Sequence, residues 1–273
     1  MAKHNPSRIY LAARTESKAL SAIKDIQALV PSAPITYIHC DLNSLPSVQA
    51  CAREFVAKES RLDILMLNAG IMAVPAGTTE QGYEIQFGTN HVGHALLAKL
   101  LLPTLLKTAK LPGADVRVIS LASIGHAMAR GMLFGELKTD MKGHSTWERY
   151  GNSKLANILF ARELARRYKS EGITAVAVHP GVVDTDLYKS AFSGIMGWMD
   201  KVKSWVYTSV EGGAKNQLWA ATAKLGENKG EVKSGEYYTP VGVAGQGTRI
   251  SGDMVLAGKL WEWTEQELKG YEL

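Results

Sequence analysis

Cysteine is scarce in this chain of 273 residues, which contains only Cys40 and Cys51. Two thiols are too few for a disulfide framework, so we expect a reducing compartment. The first residues are polar and give no sign of a secretory signal. The longest apolar run, at residues 95–106, is interrupted by Lys99 and Pro103 and is too short to cross a bilayer. These absences predict a cytoplasmic protein, with membrane binding not expected.

The sequence also lacks any run of basic residues. Its 31 basic residues are spread among 26 acidic ones, which gives a formal net charge of +5. Proteins that bind nucleic acids concentrate their positive charge, so we expect no nucleic-acid partner. We find no repeat, linker or low-complexity tract, and a chain of this length can bury one core. We therefore expect a single domain over residues 1–273.

Short apolar strands alternate with helices that have one apolar face. The predicted strands are residues 8–13, 35–39, 62–67, 116–121, 173–178 and 236–239. The predicted helices are residues 16–29, 44–58, 82–107, 145–170, 210–224 and 252–268. This alternation predicts an α/β fold with a doubly wound, mostly parallel sheet.

The predicted helix at residues 145–170 carries the clearest chemical pattern. Ser145 and Glu148 have the spacing of a capping box, which marks the start of a helix. Tyr150 and Lys154 are four residues apart, so their side chains lie on one face. An ammonium beside a phenol lowers the phenol pKa from about 10 and allows acid/base chemistry near neutral pH. The pair alone is not specific, since a lysine packed over an aromatic ring is common in helices.

Other residues that could bind a ligand or take part in catalysis also follow predicted strands. They are Arg14, Asp41, Asn68, Ser123 and Thr185. Ligands of doubly wound sheets bind at the carboxyl ends of the strands, so we expect these residues to share one site. The nearby histidines show no metal-ligand spacing, and we expect structural side chains with satisfied hydrogen bonds and no metal. These are His91, His94, His126 and His179.

Several further motifs follow one another along the chain. They are Asn68-Ala69-Gly70, Asn90, Ser123, Tyr150-x-x-x-Lys154, and Pro180-Gly181 with Thr185. In these residues and their order the chain resembles the short-chain dehydrogenase/reductase family from about residue 8 to 268. It looks closest to the retinol-dehydrogenase-like and WW-domain-oxidoreductase-like members found as fungal reductases. It departs from the usual pattern at residues 121–123, which read Leu-Ala-Ser, and in a long interval before Tyr150.

The resemblance implies an NADP(H)-dependent oxidoreductase that interconverts a hydrophobic ketone or aldehyde and its alcohol. Tyr150 would exchange a proton with the substrate oxygen, and Lys154 would lower the phenol pKa and contact the nicotinamide ribose. Ser123 would hydrogen-bond the substrate oxygen as charge develops on it. Asn90 would hold a water that relays protons to Lys154.

The resemblance also implies a cofactor site. Arg14 and Lys18 favour NADP, since a basic residue here accommodates a 2′-phosphate, although the nearby Glu16 keeps NAD open. Lys99 matches a basic family position, where a cofactor contact and a structural role are both open. The remaining contacts implied are Asp41 to the adenine, Asn68 to the adenosine ribose, and Val183 and Thr185 to the nicotinamide carboxamide.

The family's first strand and glycine-rich turn have no counterpart in this sequence. Gly242, Gly245 and Gly247 follow the last predicted strand and open no helix, so they do not replace that turn. The expected sheet therefore lacks its first central strand, and each unpaired buried backbone group would cost about 1–3 kcal/mol. Three explanations stay open. In the first, the chain starts at an internal methionine of a longer protein. In the second, the strands near Arg8 and Leu62 pair directly or with a partner subunit, and the chain is a degenerate family member that binds a ligand or catalyses non-redox chemistry. In the third, it is an inert fragment.

We expect a cofactor half at residues 1–122 and a catalytic half at residues 123–273. The catalytic half includes a predicted substrate lid at about residues 187–208. Its apolar wall suits a hydrophobic substrate. Two other roles of this segment stay open: a helix that packs on the core, or a helix that lies at a membrane surface. The wall residues are Met196, Trp198, Met199 and Trp205. Trp261 and Trp263 are expected to pack in an oligomer or against the lid, with a homodimer or a homotetramer both open.

Overall fold

Parallel strands alternate with helices in the computed structural model, which describes residues 1–183 and 209–273. The strands are β1 Ile9–Ala13, β2 Ile35–His39, β3 Ile64–Leu67, β4 Val116–Leu121, β5 Ile173–Val178, β6 Tyr237–Thr239 and β7 Val243–Ala244. The helices are α1 Glu16–Leu29, α2 Leu45–Lys58, α3 Ile85–Ala109, α4 Thr146–Tyr168, α5 Val210–Thr222 and α6 Met254–Glu267. The predicted order of strands and helices is confirmed, and the short strand β7 was not predicted.

The strands form two sheets in the part of the chain that the structure describes. β1 pairs in parallel with β2 along its whole length. The second sheet has the order β3-β4-β5-β6-β7 and is parallel except between β6 and β7. The α/β class with a mostly parallel sheet is confirmed. Between β1 and β3 the described residues form no pairing, so the direct pairing expected under one explanation is not present.

Helix α4 lies at the centre of the fold. Its residues are buried without interruption from Arg149 to Ala161. It packs on β4 and β5, on the 3₁₀ turn Ile124–Met128 and on α6. The Ser145 hydroxyl accepts a hydrogen bond from the Glu148 amide at 3.1 Å, so the predicted cap at the start of this helix is present.

Helix α3 is α-helical except at a π turn, Gly88–Val92. By length and composition it could cross a membrane. Its large apolar side chains are mostly buried in the core, among them Leu96, Leu101 and Leu105. The core helices of soluble proteins are often as long and as apolar as this one. The packing of α3 against α2 and the sheet is that of a core helix.

The tryptophans of α6 pack against their own chain. Trp261 stacks on Phe160 with ring centroids 5.4 Å apart, and the Arg167 guanidinium lies 4.9 Å from the Trp261 ring. Trp263 meets Phe87 edge-on at 5.7 Å. An oligomer contact for these two residues stays a prediction. The predicted lid, with its four apolar wall residues, lies outside the described residues.

A buried ion pair joins the start of α3 to the start of α4. Arg149 Nη1 lies 3.1 Å from Glu84 Oε1, and the two side chains are 4% and 0% exposed. Glu84 Oε2 also accepts from the Phe87 amide, which caps α3. Burial raises the pKa of Glu84 above its usual range, while its hydrogen bonds and Arg149 oppose that rise. The guanidinium therefore favours the charged form of this carboxylate, against the effect of burial.

We expect Arg149→Met to lower the free energy of unfolding by about 3–5 kcal/mol at pH 7, because it leaves the Glu84 carboxylate buried without a cation. Denaturant unfolding followed by circular dichroism measures this. Glu84→Gln combined with Arg149→Met should recover part of the loss, since no buried charge remains. The control is Arg61→Met, which breaks an exposed pair with Asp63. Equal losses for Arg149→Met and the control would contradict the prediction.

Candidate active site

The carboxyl ends of the strands place the predicted site residues at the edges of both sheets. In the first sheet Ala13 lies opposite His39, so Arg14 and Asp41 follow at the same edge. In the second sheet the parallel strands β3, β4 and β5 end together. That edge carries Asn68, Ser123 and the segment from His179 to Val183.

Tyr150 and Ser123 meet at a glycine. A Cβ added to Gly125 would lie 2.8 Å from Tyr150 Cε1 and 3.3 Å from Ser123 Oγ, so ring and hydroxyl flank this residue. Ser123 Oγ accepts a hydrogen bond from the Gly125 amide at 3.1 Å, which leaves its proton available to a substrate oxygen. Both side chains are buried. The predicted partners therefore lie together, and their catalytic roles stay predictions.

The Lys154 ammonium lies beside the tyrosine in a buried position. Its Nζ is 5.8 Å from the centroid of the Tyr150 ring and donates to the Leu121 carbonyl at 3.0 Å. Burial lowers the pKa of Lys154 to about 8. An ammonium with this pKa can exchange its proton near neutral pH, as a proton-transfer site requires.

Asn90 lies in the π turn of α3 and joins the segment after β3 to helix α4. Its Oδ1 accepts from the Ile71 amide at 2.8 Å, and its Nδ2 donates to the Ile71 carbonyl and to Ser153 Oγ, both at 2.9 Å. Both amide hydrogens of Asn90 are thus used, and the predicted water relay stays a prediction. π turns often occur at functional sites, although the sequence gives no local signal for one.

Gly70 closes this part of the site, and the sequence analysis gave it no site role. A Cβ added there would lie 3.0 Å from Asn90 Oδ1 and 3.4 Å from Lys154 Nζ. The exposed turn Asn68–Gly70 therefore lies directly against the lysine and the asparagine. Its place in the Asn-Ala-Gly motif was the signal that could have identified it.

The four histidines near the site are kept neutral by burial. It lowers the pKa of His91 to about 3, that of His94 and His179 to about 4, and that of His126 to a lesser extent. His91, His94 and His126 have hydrogen-bond partners. Within the described residues Nδ1 of His179 has none, so the expectation of a satisfied side chain is not met there. Within residues 1–183 and 209–273, no cluster of three or more candidate ligands could hold a metal.

Some predicted cofactor residues lie elsewhere or outside the described chain. Lys99 Nζ donates to the Leu268 carbonyl at 3.2 Å and lies 3.4 Å from Glu265 Oε2, so its side chain joins α3 to the end of α6. This placement favours the structural alternative for Lys99. Thr185 lies outside the described residues, whereas Val183 is buried beside α5. Arg14 and Lys18 are exposed at the start of α1.

Comparison with known proteins adds a family assignment to this geometry. A family model described as enoyl-(acyl carrier protein) reductase matches residues 5–221. A short-chain dehydrogenase/reductase of Aspergillus calidoustus is 38% identical over 286 residues, covering 100% of this chain and 89% of that protein. Retinol dehydrogenase 12 of Mus musculus is 37% identical over 233 residues, covering 85% of this chain and 70% of that protein.

Solved structures give a matching fold. An uncharacterized protein from Mycobacterium paratuberculosis superposes with a TM-score of 0.68 at 30% identity, covering 94% of this chain and 82% of that one. The NADPH-bound carbonyl reductase from chicken fatty liver superposes with a TM-score of 0.60 at 23% identity, covering 86% and 85%. The second likeness concerns the fold alone.

Lys154→Met removes a buried charge, and we expect it to raise the free energy of unfolding at pH 7 by on the order of 3 kcal/mol. Below about pH 8 the lysine is charged in both states, so the folded chain bears the whole cost of burial. Between about pH 8 and pH 10.5 the unfolded chain binds more protons, so the wild type gains stability as the pH rises. The difference between wild type and variant should shrink over that range.

Denaturant unfolding of both proteins at pH 7 and at pH 10.5 measures this difference. The control is Lys107→Met on the exposed face of α3, which should change stability little at either pH. A Lys154→Met protein no more stable than wild type at pH 7 would show that the ammonium is not buried at a cost.

Proposed function

We propose that this chain, which belongs to the short-chain dehydrogenase/reductase family, is an NADP(H)-dependent oxidoreductase. Its substrates would be a hydrophobic ketone or aldehyde and the corresponding alcohol. The observation that carries the proposal is the meeting of Tyr150 and Ser123 at Gly125, with the buried Lys154 ammonium beside the phenol ring. Acid, hydrogen-bond donor and cation are thus side by side at the carboxyl edge of the second sheet.

The side chains have separate tasks in this proposal. In reduction the Tyr150 phenol donates its proton to the carbonyl oxygen, and in oxidation it takes the proton of the alcohol. The Ser123 hydroxyl donates a hydrogen bond to the same oxygen and stabilises the charge that develops there. The Lys154 ammonium stabilises the phenolate left after proton transfer. A bound nicotinamide would supply or accept the hydride.

The cofactor assignment is supported at its two ends. At one end, the exposed Gly70 lies against Lys154 and Asn90, where a nicotinamide ribose would be held. At the other end, Arg14 and Lys18 are exposed at the carboxyl edge of β1, where they suit a 2′-phosphate. Between them, the described residues offer no glycine-rich turn for the pyrophosphate. The residues therefore fit the riboses and leave the diphosphate without a cradle.

A hydrophobic substrate is supported by the turn that follows Ser123. Ile124 and Met128 are 58% and 49% exposed on this 3₁₀ turn, although both are large and apolar. Val210, at the start of α5, is also exposed. Exposed apolar side chains beside buried catalytic groups are typical of a binding site for an apolar ligand.

A degenerate family member without a dinucleotide is the second candidate. In the part of the chain that the structure describes, no strand pairs with the free edges of β1 and β3 and no glycine-rich turn is present, which favours this candidate. Such a protein would bind a ligand, or use Tyr150 for acid/base chemistry without redox. The two candidates differ in whether NADPH binds.

We expect purified protein of this length to bind NADPH saturably and to melt at a higher temperature when NADPH is present. Nicotinamide fluorescence and thermal melting measure this. Arg14→Ser should weaken NADPH binding about tenfold or more and leave NADH binding nearly unchanged, because only NADPH has the 2′-phosphate. The control is Lys24→Ser, also exposed on α1. Absence of NADPH binding would favour the second candidate.

Tyr150→Phe should lower turnover roughly a hundredfold or more, because it removes the proton that the substrate oxygen receives. The affinity for NADPH should stay near that of the wild type, since the ring still packs against Gly125. Single-turnover oxidation of NADPH with an aromatic ketone, together with NADPH titration, separates the two effects. An active phenylalanine variant would refute the role of the phenol.

A further inference from the structure

The Leu121 carbonyl, at the end of β4, receives two donors from helix α4. Lys154 Nζ donates to it at 3.0 Å and Asn157 Nδ2 at 2.9 Å. Lys154 and Asn157 are three residues apart, so they share one face of the helix. A carbonyl oxygen has two lone pairs, and here both are used. The amide of Asn157 therefore fixes the oxygen that holds the ammonium.

Asn157 is held in turn from two other helices. Its side chain is hydrogen-bonded to His91 of α3, and His91 Nε2 lies 3.2 Å from Thr264 Oγ1 of α6. All three side chains are buried. Because burial keeps His91 neutral, its ring has a single N–H.

These contacts form one row. The Nδ2 group of Asn157 donates to the Leu121 carbonyl, and the same side chain is hydrogen-bonded to the His91 ring. Nε2 of that ring contacts the Thr264 hydroxyl. The row thus runs from α6 through α3 and α4 to β4. It ends on the carbonyl that the lysine uses.

The ammonium of Lys154 has no carboxylate partner in the described part of the chain. The titratable groups that face it are Tyr150 on its own helix, His94 on α3 and His179 after β5. Burial keeps both imidazoles neutral. The hydrogen bond to Leu121 is therefore the described contact that fixes where the ammonium lies.

We propose that Asn157 is a positioning residue for Lys154, and that His91 and Thr264 hold Asn157 in place. The proposal rests on the proposed function, in which Lys154 serves the phenol and the nicotinamide ribose. It assigns a part in the reaction to the C-terminal helix α6, which packs on α4.

Asn157→Asp tests this assignment, because aspartate has nearly the same shape. Its carboxylate can accept from His91 but cannot donate to Leu121, and it attracts the ammonium away from that carbonyl. The pKa of Lys154 should then rise by about 1–3 units, the usual effect of an adjacent opposite charge. The matched control is Asn152→Asp, a buried amide of the same helix whose Nδ2 donates to the Glu148 carbonyl.

The first measurement needs no activity. The free energy of unfolding of each protein is compared with that of its Lys154→Met form from about pH 7 to about pH 11. In the wild type and in Asn152→Asp the difference should close above about pH 8. In Asn157→Asp the difference at pH 7 should be smaller and should begin to close only at higher pH. A difference and an onset equal to those of the wild type would overturn the proposal.

The second measurement is the pH dependence of kcat with NADPH. Asn157→Asp should lower kcat more than it raises KM and should move the alkaline limb to higher pH. If Asn157→Asp does not fold, Thr264→Val and Thr264→Ser provide the test, since serine keeps the hydroxyl that valine removes. The valine variant should move the alkaline limb and the serine variant should restore it. Identical profiles would overturn the proposal.

The two measurements also separate the proposal from the proposed function. If the wild type neither binds NADPH nor turns over a carbonyl compound, while the unfolding comparison still shifts in Asn157→Asp, the redox function fails and the positioning of Lys154 stands. If the wild type is active and the unfolding comparison does not shift, the positioning fails and the function stands.

Discussion

The burial of the Lys154 ammonium is the constraint on which the rest of the site depends. A charge without a carboxylate partner needs a fixed acceptor, and the Leu121 carbonyl provides it. That requirement places the first turns of α4 directly over the end of β4, where Tyr150 meets Ser123. The cost of burying this charge is offset by the packing of a helix that is buried on every side along most of its length.

Side-chain contacts from α3 hold the start of α4. Arg149 pairs with Glu84 at the start of α3, and Ser153 accepts from Asn90 in the π turn. Through Asn90, Ile71, which directly follows the turn Asn68–Gly70, is joined to the same helix. Acid, hydroxyl and lysine are therefore positioned without help from β1 or β2.

The helices and strands could be predicted because the spacing of apolar residues repeats along each element. The meeting of Tyr150, Lys154 and Ser123 could be predicted because helical spacing places the first two on one face and parallel strands end at one edge of the sheet. It could not show the π turn, which leaves no local pattern, or the placement of Lys99, which depends on where the C-terminal helix packs. The open Nδ1 of His179 likewise depends on neighbours distant in sequence. Asn157 could have been found by helical spacing from Lys154. The division into halves at residue 122 stays a prediction.

The separation of the two sheets divides the site by task. Arg14 and Asp41 belong to the first sheet, whereas every group that touches the reacting oxygen in the proposed mechanism belongs to the second sheet or to α4. A change in how β1 and β2 pack against the second sheet would thus alter the affinity for the adenosine end of a dinucleotide and leave the acid/base geometry intact. Redox enzyme and degenerate relative can therefore share the same catalytic helix. The difference between them lies at the unpaired edges of β1 and β3.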